Sequence, residues 1–335
     1  MISRRRIMSG AAVAGAAGLF GLRPDAALAE PPPETTTLRL FENPIICLAP
    51  HYVAQDLLRS EGFTDVRYVK YPGDTQAWTP QVLISGAVDI SLSFVPTNVL
   101  QIDAGAPIVM LAGIHIGCVE LLGRNGLRST RELKGKTVAV VELWSDQHIF
   151  TSMFAAHVGL DPRKDIKWVI RPFDESIGLL EEGKIDAVMT GPPFALEMRS
   201  RKIGHVLVNT TTDKPWSHYL CCIVTASKEF VRKYPVATKR ALRAIMKAAD
   251  LCGREPAGAA RVVTDKGLAP RYEAAFLTMK EMQYGRWREY DPESSVRFYS
   301  LWLRDVGMIR SSPQKILAQG TDWRFLNELK NELKG

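Results

Sequence analysis

LISGAVDISLSFVP (residues 83–96) and LEEGKIDAVMTGPP (residues 180–193) are two copies of one pattern. Leu83, Gly86, Val88, Asp89 and Pro96 fall on Leu180, Gly183, Ile185, Asp186 and Pro193 at a constant offset of 97 residues. In each copy a helix ends at a glycine free to take the left-handed conformation that closes helices. An apolar strand follows and stops at a proline, which cannot continue a hydrogen-bonded ladder. Each copy is therefore one helix-strand unit.

Upstream, TLRLFENP (37–44) corresponds to TVAVVELW (137–144), and the helical stretches after them reach Gly62-Phe63 and Gly159-Leu160. Two similar βαβ modules predict an α/β fold with two doubly wound domains built on parallel sheets. From Ser227 onward the texture is helical. Ser227 is placed to cap SKEFVRKY, Pro235 suits the first turn before VATKRALRAIMKAADLC, and Asp291-Pro292 open an amphipathic helix through Leu303. These helices have no sheet of their own and must pack on the first module. The apolar stretches CVELLGRNG and YLCCIVTAS are then the two crossing strands and the hinge. The predicted division is a linker over 30–36, domain one over 37–122 plus 224–335, and domain two over 123–223.

The N-terminus reads Ser3-Arg4-Arg5-Arg6-Ile7-Met8, then a Gly/Ala-rich apolar stretch to Leu22, then Ala27-Leu28-Ala29. This is the pattern of a twin-arginine export signal over 1–29, cleaved after Ala29 into the periplasm. Without it the formal charge falls from +7 to +4. No basic stripe interleaved with aromatics suggests nucleic acid. No later apolar run approaches the ~20 residues a membrane span needs. Cys47, Cys118, Cys221, Cys222 and Cys252 show neither CxxC nor metal-ligand spacing, so no metal or cofactor is expected. Buried free thiols, or a bridge from Cys118 to Cys221 or Cys222, both fit the sequence.

SGAVDIS followed by GAPIVMLAG, then STRELKGKTVAV, GLDPRKDIKWV, EEGKIDAVMTGPPFA and SKEFVRKYPVATKRALRAIMKAA, in that order over residues 37–265, resembles a known group. It is that of the periplasmic substrate-binding proteins of ABC importers related to the nitrate, alkanesulfonate, taurine and pyrimidine-precursor receptors. The resemblance implies a type II periplasmic-binding fold with a helical C-terminal part packed on domain one. It implies a monomer that closes around a small-molecule ligand and delivers it to an ABC permease in the inner membrane.

In open α/β sheets ligands sit beyond the carboxyl ends of the strands, where helix N-termini point inward. That rule nominates Asn43, Pro44, Ser93, Phe94, Thr97, Asn98 and His115 from domain one. From domain two it nominates Trp144, Ser145, Asp146, Asp174, Gly191, Pro192 and Phe194. Trp144 and Phe194 are candidates for stacking on a ligand. Ser93, Thr97, Asn98 and Asp146 fit helix caps as well as contacts, and His115 fits a structural histidine as well as a contact. Asp89 and Asp186 look like paired catalytic carboxylates, but the repeat makes them equivalent structural positions.

The nominated loops carry Asp146, Asp174 and Glu175, with no Lys or Arg. A small hydrated anion wants cationic or bidentate donors. A neutral, aromatic or partly cationic organic ligand is expected, with sulfonate or carboxylate reachable through helix N-termini. No HExxH, GxSxG, P-loop or Rossmann glycine pattern supports enzymatic chemistry. The same closing cleft would also serve a receptor for a membrane sensor, or an enzyme on this fold of the pyrimidine-precursor synthase or decarboxylase type.

Overall fold

Alternating strands and helices build two five-stranded sheets in the computed structural model, which describes residues 30–42, 45–70, 79–269 and 271–333. The export signal over 1–29 and the nominated Asn43 and Pro44 lie outside the described residues. The first sheet contains β1 (Thr37–Phe41), β2 (Asp65–Val69), β3 (Ile90–Phe94), β4 (Ile108–Ile116) and β10 (Leu220–Ser227). The second contains β5 (Glu120–Gly123), β6 (Lys136–Val140), β7 (Ile166–Ile170), β8 (Ala187–Thr190) and β9 (His205–Asn209). Their strand orders, β2-β1-β3-β10-β4 and β7-β6-β8-β5-β9, are the same order written twice.

The sheets are mixed rather than wholly parallel. β10 runs antiparallel to β3 and β4, and β5 runs antiparallel to β8 and β9. The reason is the crossover. β4 ends at Ile116 on the carboxyl edge of its sheet, and a three-residue step leads straight into β5, whose first residue Glu120 pairs with Thr190 at the end of β8. With no helix to carry the chain back, β5 must enter from the carboxyl edge and run against its neighbours. β10 does the same in return, its first residue Leu220 pairing with Ile116.

The repeat is visible atom by atom. The Asp89 carboxylate accepts from the backbone N–H of Arg39 at 2.8 Å, and that of Asp186 accepts from Thr137 at 2.8 Å. The backbone N–H of each aspartate returns a bond to the carbonyl of the same residue. Arg39 and Arg124 add ion pairs to Asp89 and Asp186. Each aspartate thus latches the start of one strand to the next. Gly86 and Gly183, at the helix ends before them, have φ of +71° and +72°, which a side chain would strain.

The C-terminal helices begin where the sequence places them. Ser227 Oγ accepts from Phe230 N–H at 3.1 Å, Pro235 opens the helix Pro235–Arg254, and the Asp291 carboxylate accepts from Glu293 and Ser294 N–H ahead of the helix Pro292–Asp305. The helix Pro235–Arg254 packs against β4 and against the helices Pro50–Val53 and Gln55–Ser60. Its amino end has no cap from Tyr234. Glu34, in the segment before β1, supplies one by accepting from Val236 and Ala237 N–H at 2.9 and 2.8 Å. Trp287, Tyr284 and Tyr299 are among the largest fully buried side chains of this helical layer. Among the described residues no helix is long and apolar enough to cross a membrane.

Candidate functional site

The carboxyl ends of the strands of both sheets border one cleft, with about 650 Å³ of space continuous with solvent. The first sheet contributes Phe94 at the end of β3, with Ile45 and Cys47 from the segment after β1. The crossover contributes Cys118 and Val119. The second sheet supplies most of the wall. Val141, Ser145, Asp146 and Gln147 follow β6, Phe173 follows β7, and Met189 through Phe194 close β8 and open the next helix.

Local chemistry fixes these side chains. Ser145 caps the helix Asp146–His157, accepting from His148 N–H while its hydroxyl donates to the Glu142 carbonyl at 2.8 Å. Gln147 accepts from Val141 N–H at 2.8 Å and donates to the Met189 carbonyl at 3.2 Å, tying the ends of β6 and β8 together. The rings of Phe173 and Phe194 meet edge to face with centroids 4.6 Å apart. The Thr97 hydroxyl, on the helix after β3, donates to the Asp146 carboxylate on the far wall. Burial pushes the Asp146 carboxyl up to about 7, against the opposing effect of that bond.

The crossovers lie side by side. Val119 N–H donates to Thr210 Oγ1 at 3.0 Å, and Thr210 N–H donates to the Val119 carbonyl at 3.0 Å. Gly117 sits at φ +70° with Thr211 so close that a Cβ would fall 2.3 Å from its hydroxyl. Cys118 is in the left-handed region at φ +93° despite its side chain. Strained backbone of this kind persists only where its surroundings over-determine it. All five cysteines are buried and free, and Cys118 Sγ lies 3.4 Å from Cys221 Sγ, outside bonding distance.

Of the nominated residues, Phe94, Ser145, Asp146, Gly191, Pro192 and Phe194 line the cleft, and Thr97 touches it through Asp146. Ser93 and Asn98 are buried beside it and bond to each other at 2.8 Å. His115 is buried behind the cleft with both ring nitrogens against backbone carbonyls. Asp174 is exposed in the first turn of the helix Phe173–Glu181. Trp144 is 53% exposed and outside the lining; its backbone sits at φ +73° and its indole lies edge to face with His148. Among the described residues the acidity expected of these loops shrinks to Asp146, the one carboxyl in the lining, and no Lys or Arg lines the cleft.

Cys47, Cys118, Met189 and Thr190 line the cleft and were not nominated. Thr190 was within reach, since it occupies the last strand position of the second repeat copy. Cys47 carried no signal, because its neighbours in space come from distant parts of the chain, while Cys118 stands three residues after its neighbour His115.

The sequence profile of the NMT1-like family matches residues 31–265. The nitrate import ATP-binding protein NrtC of Synechocystis sp. is 22% identical over 204 residues, 58% of this chain and 29% of that protein. The bicarbonate-binding protein CmpA of Synechococcus elongatus is 26% identical over 111 residues, 33% of this chain and 24% of that protein. The chain therefore aligns with less than a third of the length of each of these relatives. The periplasmic nitrate-binding protein NrtA from Synechocystis superposes with a TM-score of 0.75 at 17% identity, covering 91% of this chain and 90% of that one. The alkanesulfonate-binding protein SsuA from Xanthomonas axonopodis pv. citri, bound to MOPS, gives 0.67 at 15% identity, covering 87% and 99%. The likeness to these solved structures is one of fold, that of the periplasmic binding proteins, and by its match over 31–265 the chain belongs to the NMT1-like family.

Proposed function

We propose that the chain is the extracytoplasmic solute-binding component of an ABC importer, closing around a small neutral or aromatic organic molecule without transforming it. In this reading the two sheets are the cores of two lobes, residues 37–119 with 220–335 and residues 120–219, since β5 begins at Glu120 and β10 at Leu220, hinged where the crossovers run side by side. The twin-arginine signal is cleaved after Ala29, and the mature monomer hands its ligand to an inner-membrane permease.

The observation that carries the ligand class is that no Lys or Arg lines the cleft among the described residues. Nitrate, bicarbonate and alkanesulfonate, for which the relatives are named, are anions, and desolvating an anion is costly unless charged or convergent donors replace its water. Here Asp146 faces the space instead, among Phe94, Phe173 and Phe194. An aromatic ligand finds a mostly apolar wall with a few polar groups to orient it, as small-molecule sites generally have.

Native mass spectrometry of the mature chain, followed by calorimetric titration, tests both halves of the proposal. The expected result is one co-purifying or titratable neutral or aromatic molecule, released unchanged. Tight binding of nitrate or bicarbonate would sink the ligand class, and turnover of the bound molecule would sink the receptor reading.

A further inference from the structure

Cys47 and Cys222, distant in sequence, converge with His115 and Cys118 at the floor of the cleft. The ligand-capable atoms of Cys47, His115, Cys118 and Cys222 all lie within 4.8 Å of one another, and all four residues are buried. A tetrahedral zinc-thiolate shell with bonds of ~2.3 Å has edges of ~3.8 Å, so side-chain adjustments of a fraction of an ångström close this cluster around one ion.

His115 adds an independent indication. Its Nδ1 lies 3.0 Å from the Ile116 carbonyl and its Nε2 lies 3.1 Å from the Cys47 carbonyl, which also accepts from the Tyr284 hydroxyl at 3.0 Å. A neutral imidazole donates through one nitrogen only. In the neutral form, whichever tautomer is present, the other nitrogen turns its lone pair toward a carbonyl oxygen. A cation in the cluster gives that lone pair a partner, while the remaining N–H to a carbonyl fixes the ring, the usual arrangement around a metal-bound histidine.

We propose that Cys47, His115, Cys118 and Cys222 bind a thiophilic d10 cation, Zn²⁺ or Cu⁺, at the floor of the cleft. Three thiolates and an imidazole are the donors such soft or borderline ions select, and a hard ion such as Mg²⁺ or Ca²⁺ is excluded by the absence of oxygen ligands in the set. Each thiol gives up its proton to solvent on binding. The ion would join the segment after β1 (Cys47), the end of β4 (His115), the crossover (Cys118) and β10 (Cys222), fixing the root of the crossovers. The site does not depend on the importer reading.

The test uses the full chain purified reduced and without oxygen, titrated separately with Zn²⁺ and Cu⁺ against a competing chelator, and with Co²⁺ as a spectroscopic probe. Expected are one equivalent of Zn²⁺ or Cu⁺, thiolate-to-Co²⁺ charge transfer with tetrahedral visible bands, and a rise in melting temperature. Cys118→Ser and Cys47→Ser should each weaken binding at least ~100-fold, beyond what loss of a supporting contact does. Cys252→Ser, a buried thiol outside the cluster, should bind like the parent. If the serine variants do not fold, X-ray absorption of the metal-loaded parent chain decides: a shell of three sulfurs and one nitrogen supports the site. No uptake by the folded reduced chain, an oxygen-dominated shell, or unchanged binding in folded Cys118→Ser overturns it.

Discussion

The hydroxyl of Thr97 donates to the carboxylate of Asp146 across the cleft, tying the helix after β3 to the helix after β6. The bond links helices that follow strands of different sheets, beside the space where a ligand would sit. Asp146 is therefore both a lining residue and a fastener, and its protonation affects both roles.

Burial holds the Asp146 carboxyl at about 7 in the folded chain against 3.8 ordinarily. Between those values the folded state keeps a proton that the unfolded state has lost. The contribution of Asp146 to stability is greatest below pH 3.8 and is lost as pH rises through about 7, with a slope of at most ~1.4 kcal/mol per pH unit. Asp146→Asn should flatten that part of the stability curve while keeping an acceptor for Thr97. Thermal melts of parent and variant between pH 4 and 8 measure the difference.

His51 works in the opposite direction. It is buried against Tyr52 and Tyr68, and its ring nitrogens make no hydrogen bond of good geometry, only weaker contacts with the Phe41 and Leu48 backbone. Burial lowers its pKa from 6.5 to about 3, so its contribution is fully present above pH 6.5 and is lost as acidification forces a charge into the core. His51→Phe removes both poorly satisfied nitrogens. It should reduce acid sensitivity between pH 6.5 and 3 and raise stability at pH 5 by about 1 kcal/mol, read by urea unfolding.

The latches should matter to folding and not to binding. Asp89→Ala or Asp186→Ala strips the acceptor from the backbone N–H of Arg39 or Thr137 and leaves an arginine without its partner. Each should cost about 2–3 kcal/mol in equilibrium unfolding, with ligand stoichiometry unchanged. A selective loss of ligand binding at full stability would show that these carboxylates do more than hold strands.

Phe173 and Phe194 form the aromatic pair of the cleft, whereas Trp144 points away. Phe194→Ala and Phe173→Ala should each weaken binding of the co-purifying molecule by ~1–2 kcal/mol, about 5-fold to 30-fold by calorimetry. Trp144→Ala should leave that affinity within about twofold of the parent.

The sequence carried the modules because they rest on local rules. Gly86 and Gly183 end helices, Ser227 and Asp291 cap them, and Pro235 starts one, each by its own backbone chemistry. It did not carry the direction of β10. All but the last of its residues are buried, and a fully apolar run reads alike in a parallel or an antiparallel setting. The exposure of Trp144 was not legible because a positive φ at a tryptophan has no sequence signature. Of the Cys47, His115, Cys118 and Cys222 cluster the sequence showed only the three-residue spacing of His115 and Cys118, because Cys47 and Cys222 reach that pair only through the fold.

The antiparallel fourth strands also set an order of events during synthesis. Every strand of the second sheet lies between Glu120 and Asn209, so that sheet has all its parts once residue 209 has left the ribosome. The first sheet has four strands made before residue 117, yet β3 and β4 are joined only through β10, which ends at Ser227. The half of the molecule that is translated first is thus the half that finishes last, its open edge waiting on a strand that returns from the other side.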